Sequence, residues 1–355
     1  MPLGCLMVDV AGKSLLPEDR DVLLHPLVGG VILFARNFSD EAQLCALLRE
    51  IRALRTPRLL IAVDHEGGRV QRFRTDFTRV PSMRQIGHAY DLHQSTGRAL
   101  ARQVGWIIGS ELKSAGIDLA FAPVVDLDLG VSEVIGDRSF HKDPDVVATL
   151  AGALAAGMRE AGMCATAKHF PGHGAVVLDS HVALPIDRRA YADLVGDLTP
   201  YRRLMMNGLE SVMMAHVVFP DIDQLPASLS HRWVNDILRG EMNFQGAVFT
   251  DDLSMAGAAA FGDIVTRATL SLEAGCDMLP VCNARASVIQ LLDSLNPAPR
   301  PVSALRIARM HGRAHAFGTE ASVTLRASAT WQAARVALDQ CRDGRPVLTL
   351  DGDAS

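Results

Sequence analysis

The 355-residue sequence is short of several features that would each place it in a class. Its six cysteines, at positions 5, 45, 164, 276, 282 and 341, form no CxxC pair, and a chain of this length needs no disulfide staples. Reduced and mostly buried thiols are the expectation. Positive charge is not in excess: 35 Lys and Arg stand against 40 Asp and Glu, a net charge of −5 with pI near 6.2. That balance argues against a global basic field recruiting nucleic acid or a membrane surface. Apolar runs such as VILFA (31–35) fall far below the ~18 residues of a membrane helix. The opening MPLGCLMVDV has no basic segment ahead of its apolar residues, so no secretory signal is expected and a cytoplasmic location is. No GxGxxG or GxxxxGK pattern follows a strand, which removes support for a dinucleotide or P-loop fold. Linkers, internal repeats and low-complexity segments are also missing.

What is present is alternation. Hydrophobic residues make up 48% and charged residues 21%, enough for a sizeable core. Eight short β-rich runs read as strands: LGCLMVD (3–9), VGGVILF (28–34), RLLIAVD (58–64), IDLAFAP (117–123), MCATAKHF (163–170), SVMMAHV (211–217), GAVFTD (246–251) and DMLPV (277–281). Helical patterns separate most of them. The clearest are 41–55, with Leu44, Leu47, Leu48, Ile51 and Leu54 on one face, and 94–115, closed by Gly116. Asp143-Pro144 opens another, and Ser230 caps a further one. Eight βα units over roughly 300 residues predict an α/β fold, a single (β/α)₈ TIM-type barrel, with a partly helical tail after about residue 320.

Polar residues gather just after the strands. Asp64 ends the third, and Asp126 and Arg138 lie in the loop after the fourth. Lys168 and His169 end the fifth, His216 the sixth, and Asp251 with Asp252 the seventh. In a barrel these ends converge on one face, where the active site sits. Asp251 follows AVFT without a turn, which predicts a carboxylate at the mouth and makes it the candidate nucleophile; Asp252 should point elsewhere and cap the next helix. Asp179-Ser180-His181 fits a carboxylate-oriented imidazole able to donate and accept a proton near neutral pH. The stretch VDHEGGRVQRF (63–73) adds Arg69 and Arg72. There Gly67-Gly68 would let the backbone approach a ligand, and Glu66 reads as a supporting salt-bridge partner. Pro171, Gly172 and Gly174 suggest a swinging connection that delivers His181, with His173 helping to hold it.

Together, VDHEGGRVQRF, GDRSF (136–140), KHFPGHG with DSH, and FTDDLSM (249–255) resemble the β-N-acetylglucosaminidases of glycoside hydrolase family 3, the cytoplasmic bacterial peptidoglycan-recycling group above all. The resemblance spans roughly residues 1–320. It implies a retaining hydrolase with Asp251 as nucleophile and His181, assisted by Asp179, as acid/base. Asp64, Arg72, Arg138, Lys168 and His169 would bind the sugar. It further implies a terminal non-reducing N-acetylglucosamine substrate on 1,6-anhydro-muropeptides. No cofactor, no metal, no nucleic-acid or membrane partner and a monomeric state are expected. One departure is His65, where the family usually has glutamine. The rival readings are a family 3 β-glycosidase of other specificity, a sugar-binding barrel without activity, and a metal-dependent hydrolase using His169, His173, Asp179 and His181.

Overall fold

The computed structural model describes residues 3–177 and 184–342. Eight parallel strands form the centre: β1 (Leu6–Val8), β2 (Val28–Leu33), β3 (Leu60–Val63), β4 (Leu119–Ala120), β5 (Thr166–Phe170), β6 (Ser211–Met214), β7 (Ala247–Thr250) and β8 (Leu279–Val281). Hydrogen bonding runs β8-β1-β2-β3-β4 and β5-β6-β7. Bridges Leu119–Cys164 and Val124–Lys168 join β4 to β5, and Phe249–Met278 joins β7 to β8, so the ring closes. All eight strands fall inside the runs expected from the sequence, and the fold is the TIM-type barrel predicted.

The helices sit where their sequences allow them to start and stop. In α2 (Glu41–Ala53), Leu44, Leu47, Leu48 and Ile51 are buried, and the Asp40 carboxylate accepts the Gln43 N–H at its first turn. Helix α4 (Gln94–Ala115) ends at Gly116, whose φ of 109° is the left-handed cap that glycine adopts freely. Asp143 caps α5 (Pro144–Glu160) with Pro144 at its first position. Ser230 accepts the Trp233 N–H ahead of a π-type helix, Arg232–Glu241. The sequence left several helices unread, among them α1 (Pro17–Leu24), α3 (Met83–Leu92), Ala256–Ala259 and Thr319–Ala327.

Two layers of apolar packing result. One fills the barrel: Met7, Ile32, Leu60, Phe121, Met213, Phe249 and Met278, with Phe121 and Phe249 edge to face at 5.3 Å. Ile307 and Met310, from helix Pro301–Arg309 and the turn after it, belong to this cluster and seal it from below. The other layer lies between the strands and the surrounding helices. Helices Thr319–Ala327 and Ala329–Arg342 pack on the outer ring, chiefly against α4. Among the described residues no helix is long and apolar enough to cross a membrane.

Candidate active site

At the carboxyl end of the strands lies a cavity of about 290 Å³, walled by Asp64, Arg72, Arg138, Lys168, His169 and Asp251 together with Glu66, His173, Phe34 and Asn283. Six of the eight side chains singled out in the sequence therefore meet around one space. The remaining two, Asp179 and His181, lie outside the described residues.

Strand ends place Asp64, Lys168, His169 and Asp251, and the loops after β3 and β4 bring in Arg72 and Arg138. Asp64 follows β3, and its carboxylate accepts Lys168 Nζ at 2.8 Å and faces an Arg72 guanidinium nitrogen at 3.4 Å. Burial alone would raise this carboxyl, but the Lys168 and Arg72 cations outweigh it and hold it below the usual range. Glu66, buried two residues beyond, takes Lys168 Nζ at 2.6 Å and the Arg138 fork at 2.8 and 2.9 Å. Burial works against its ionisation as well; Arg138 and Lys168 win, and its pKa is strongly depressed. Lys168 in turn is held protonated: burial would lower it, but Asp64 and Glu66 raise it. The result is an Asp64–Lys168–Glu66–Arg138 chain of alternating charge with Lys168 and Glu66 buried at its centre, the arrangement in which buried ions keep their charge. Glu66 thus serves as the salt-bridge partner expected, and it draws on the same Arg138 fork that was assigned to sugar.

His169 stands on the other side. Its Nδ1 lies 2.8 Å from Asp126 Oδ2, which also accepts the His169 backbone N–H, while Asp126 Oδ1 accepts the His173 N–H at 2.7 Å. The sequence places Asp126 on the active-site face but gives it no role. Its signal was its position after the fourth strand, in VVDLD, but no motif marked it. The peptides Lys168–His169 and Phe170–Pro171 are cis.

Asp251 ends β7, is part-exposed on the cavity wall, and accepts the Asp252 N–H at 2.9 Å. Asp252 does not cap the following helix as expected. Its Oδ1 accepts Ser254 N, Ser254 Oγ and, across the barrel rim, Cys282 N at 3.1 Å, so it ties the β7 loop to the end of β8. Burial pushes the Asp252 carboxyl up to about 6. Behind it, His216 Nε2 sits 2.9 Å from the Asp252 carbonyl oxygen and Nδ1 2.6 Å from Ser228 Oγ, which gives His216 a supporting position.

Two glycine expectations change. At Gly67 (φ 111°) an added Cβ would meet Pro81 O at 2.6 Å, and at Gly68 (φ 54°) Ser82 Cβ at 2.8 Å. These residues admit the chain at 80–82, not a ligand. Gly174 is similar: its Cβ would meet Leu127 O at 2.0 Å, and Pro171 to Gly174 are buried. In place of the swinging connection expected, Gly174 packs closely against the loop after β4 and Gly172 against the Asp197 side chain. His65 turns away from the cavity into Phe73 and Phe77, with ring centroids 6.0 Å from each. Arg69 binds Asp137 at 2.9 Å and Val134 O at 2.7 Å, pinning the loop that carries Arg138.

Comparison with known proteins agrees with this geometry. The family model "Glycosyl hydrolase family 3 N terminal domain" matches residues 6–310. The Beta-hexosaminidase of Thioalkalivibrio sulfidiphilus is 52% identical over 351 residues, 99% of this chain and 100% of that protein. That of Thiobacillus denitrificans is 53% identical over 321 residues, 89% of each. Among solved structures, NagZ from Neisseria gonorrhoeae in complex with N-trifluoroacetyl-D-glucosamine superposes with a TM-score of 0.90 at 45% identity, covering 96% of this chain and 99% of that one. The glycoside hydrolase family 3 β-N-acetylglucosaminidase from Paenibacillus sp. str. FPU-7 gives 0.78 at 33% identity, covering 99% of this chain and 64% of its own.

Proposed function

The chain belongs to glycoside hydrolase family 3 and is a glycoside hydrolase, and from that premise we propose that it is an exo-acting, retaining β-N-acetylglucosaminidase. Its substrate on this reading is the terminal non-reducing N-acetylglucosamine of 1,6-anhydro-muropeptides, met in the cytoplasm during peptidoglycan recycling by a monomer that needs no cofactor. The observation that carries the activity is the meeting of one strand-end carboxylate, Asp251, with the Asp64–Lys168–Arg72 cluster around a cavity of about 290 Å³. That volume is at the lower end of small-molecule sites (~300–1,000 Å³), as suits one sugar ring.

The chemistry runs in two displacements. An Asp251 carboxylate oxygen attacks the anomeric carbon while the bond to the leaving oxygen breaks, and that oxygen takes a proton from His181. Water, deprotonated by His181, then displaces Asp251, so the configuration is retained. Asp179 orients the imidazole. His181, cationic as the acid of the first step and neutral as the base of the second, puts no further anion beside Asp251, as a second carboxylate would. Asp64 accepts sugar hydroxyls, which the cations of Arg72 and Lys168 leave it ionised to do, and Arg138 and His169 complete the grip.

Paired nitrophenyl β-glycosides of N-acetylglucosamine and glucose test the specificity. Strong preference for the acetamido sugar is expected, and near-equal rates would overturn it. Incubation with a 5-fluoro glycosyl fluoride followed by peptide mapping should place the adduct on Asp251. An inhibited but unlabelled enzyme would point instead to the acetamido group as nucleophile. His181→Ala should be least harmful with nitrophenyl leaving groups, which need little protonation.

A further inference from the structure

We infer that the C-terminal helices Thr319–Ala327 and Ala329–Arg342, outside the stretch matched by the family model, position the loop that presents Asp64 and Arg72 to the sugar. The inference rests on the sugar-binding role proposed for those two residues. Residues 64–80 form one excursion from β3, and polar side chains hold it at three levels. Nearest the cavity, the Gln71 amide donates to Phe73 O at 3.0 Å and Thr78 O at 2.9 Å and accepts the Val80 N–H at 3.0 Å, so Arg72 sits inside a closed ring of bonds. Below that, Glu111 of α4, 3% exposed, accepts Thr78 N at 2.9 Å and the Thr78 hydroxyl. At the base, Trp331 of the last helix donates its indole N–H to the same Glu111 carboxylate at 2.7 Å.

A second tie reaches the loop independently. Arg326, on the preceding helix, donates to the Asp76 carbonyl and pairs with Glu41 at 2.8 Å, and the Glu41 N–H donates to the Asp76 carboxylate at 3.2 Å. Asp76 is the residue at which the excursion turns, with φ of 64°. A buried carboxylate must have its acceptor sites filled or bear the desolvation cost. Glu111 is filled from both sides, by the loop and by the tail, so the tail's indole is part of what keeps Glu111 under Thr78. Helix packing alone would need only the apolar face of Trp331, Ala334, Leu338 and Cys341.

The test uses the full-length enzyme and three variants. Trp331→Phe keeps an aromatic ring and removes the donor; Arg326→Met removes the second tie; Leu338→Ala damages the same helix face and removes no hydrogen bond to the loop. Loosening residues that bind the sugar equally in ground and transition states raises KM and leaves kcat. Loss of one such bond corresponds to about a five-fold change. We expect about that rise in KM, and in the inhibition constant of N-acetylglucosamine, for Trp331→Phe and Arg326→Met, with kcat within two-fold (roughly the resolution of such comparisons). Leu338→Ala should lower Tm and leave KM unchanged. Wild-type KM in both polar variants, or a KM rise in Leu338→Ala matching its loss of Tm, overturns the inference. If Trp331→Phe melts below assay temperature, Arg326→Met decides alone. A wild type silent on N-acetylglucosaminides would bring down the functional reading itself; an active wild type with flat variants brings down only this inference.

Discussion

Ordering of the charged groups explains why single residues here should have unequal effects. Asp251→Ala removes the proposed attacking atom and should lower kcat by at least about 10³-fold on a nitrophenyl N-acetylglucosaminide, with the fold retained by circular dichroism. Glu66→Gln touches no substrate in the proposed scheme, yet it leaves Lys168 and Arg138 facing a neutral amide. Breaking a buried ion network on one side costs about 3–5 kcal/mol, so a large fall in the denaturation midpoint is expected. His65 makes a pH prediction. Burial first, and the Arg72 charge second, lower its pKa to about 3. Between that value and the unfolded value near 6.5 the unfolded chain binds the extra proton, so stability rises with pH there and is lost as pH falls below about 6.5. Substituting His65→Gln should flatten the pH dependence of the unfolding free energy between pH 6.5 and 4, by an amount on the order of a few kcal/mol, as read by denaturant titration. An unchanged slope would show that other groups set it. At this scale the sequence was informative wherever a side chain had a strand end behind it, as with Asp64, Lys168 and Asp251. It was less so for Asp126, because an acid in a charged loop has many conceivable partners until β5 carries His169 to within 2.8 Å of it.

The elements show where local signals suffice and where contact decides. Strands β1 to β8 were legible because a barrel strand is buried on both faces and reads as a continuous apolar run. Helix α4 was legible from a clean stripe and a terminal glycine. Met83–Leu92 was hidden by Gly87, a residue that weakens helix propensity. Its Cβ would meet Phe140 O at 1.9 Å, so the glycine serves a contact 53 positions away that no local pattern reveals. A signal did exist, since Ser82 and Gln85 form a capping box at its start. The loop glycines carry the same lesson in reverse: Gly174 looks like a hinge in the sequence and proves to be a point of close approach. Gly174→Ala should accordingly be costly. Its methyl has no room against Leu127 O, and overpacking of this kind costs typically ~1–3 kcal/mol or more. We expect a clear drop in Tm and an accompanying loss of activity, because His169 and His173 bond to Asp126 in the same packed segment. A variant with wild-type Tm would mean that the β4 loop can retreat.

On the scale of the whole molecule, the two ends of the barrel do different work. The carboxyl end holds the charged cavity; the amino end is closed by Ile307 and Met310 from beyond the last βα unit. Alternation and strand-end polarity predict which end is chemical. They cannot predict the plug, because the apolar positions of residues 301–310 look like any amphipathic helix until their partners, Leu119 and Met278 among others, are known. The same limit hid the Trp331–Glu111 bond, which joins positions 220 apart. The division implies a separation that can be measured. Ile307 is 1% exposed, so Ile307→Ala removes buried methyl groups and leaves a void at the barrel floor, at a cost of about 2–5 kcal/mol. The cluster that holds it contains none of the polar side chains of the mouth, where Asp64 and Lys168 hold each other at 2.8 Å and Asp251 accepts the Asp252 N–H. Tm should therefore fall by several degrees, while kcat/KM, assayed well below the melting range, should stay within about two-fold of wild type. If kcat/KM fell with Tm intact, the interior column of Met7, Phe121, Phe249 and Met278 would have to transmit the change from floor to mouth. The barrel would then act as one mechanical unit, without a stabilising end distinct from a catalytic one.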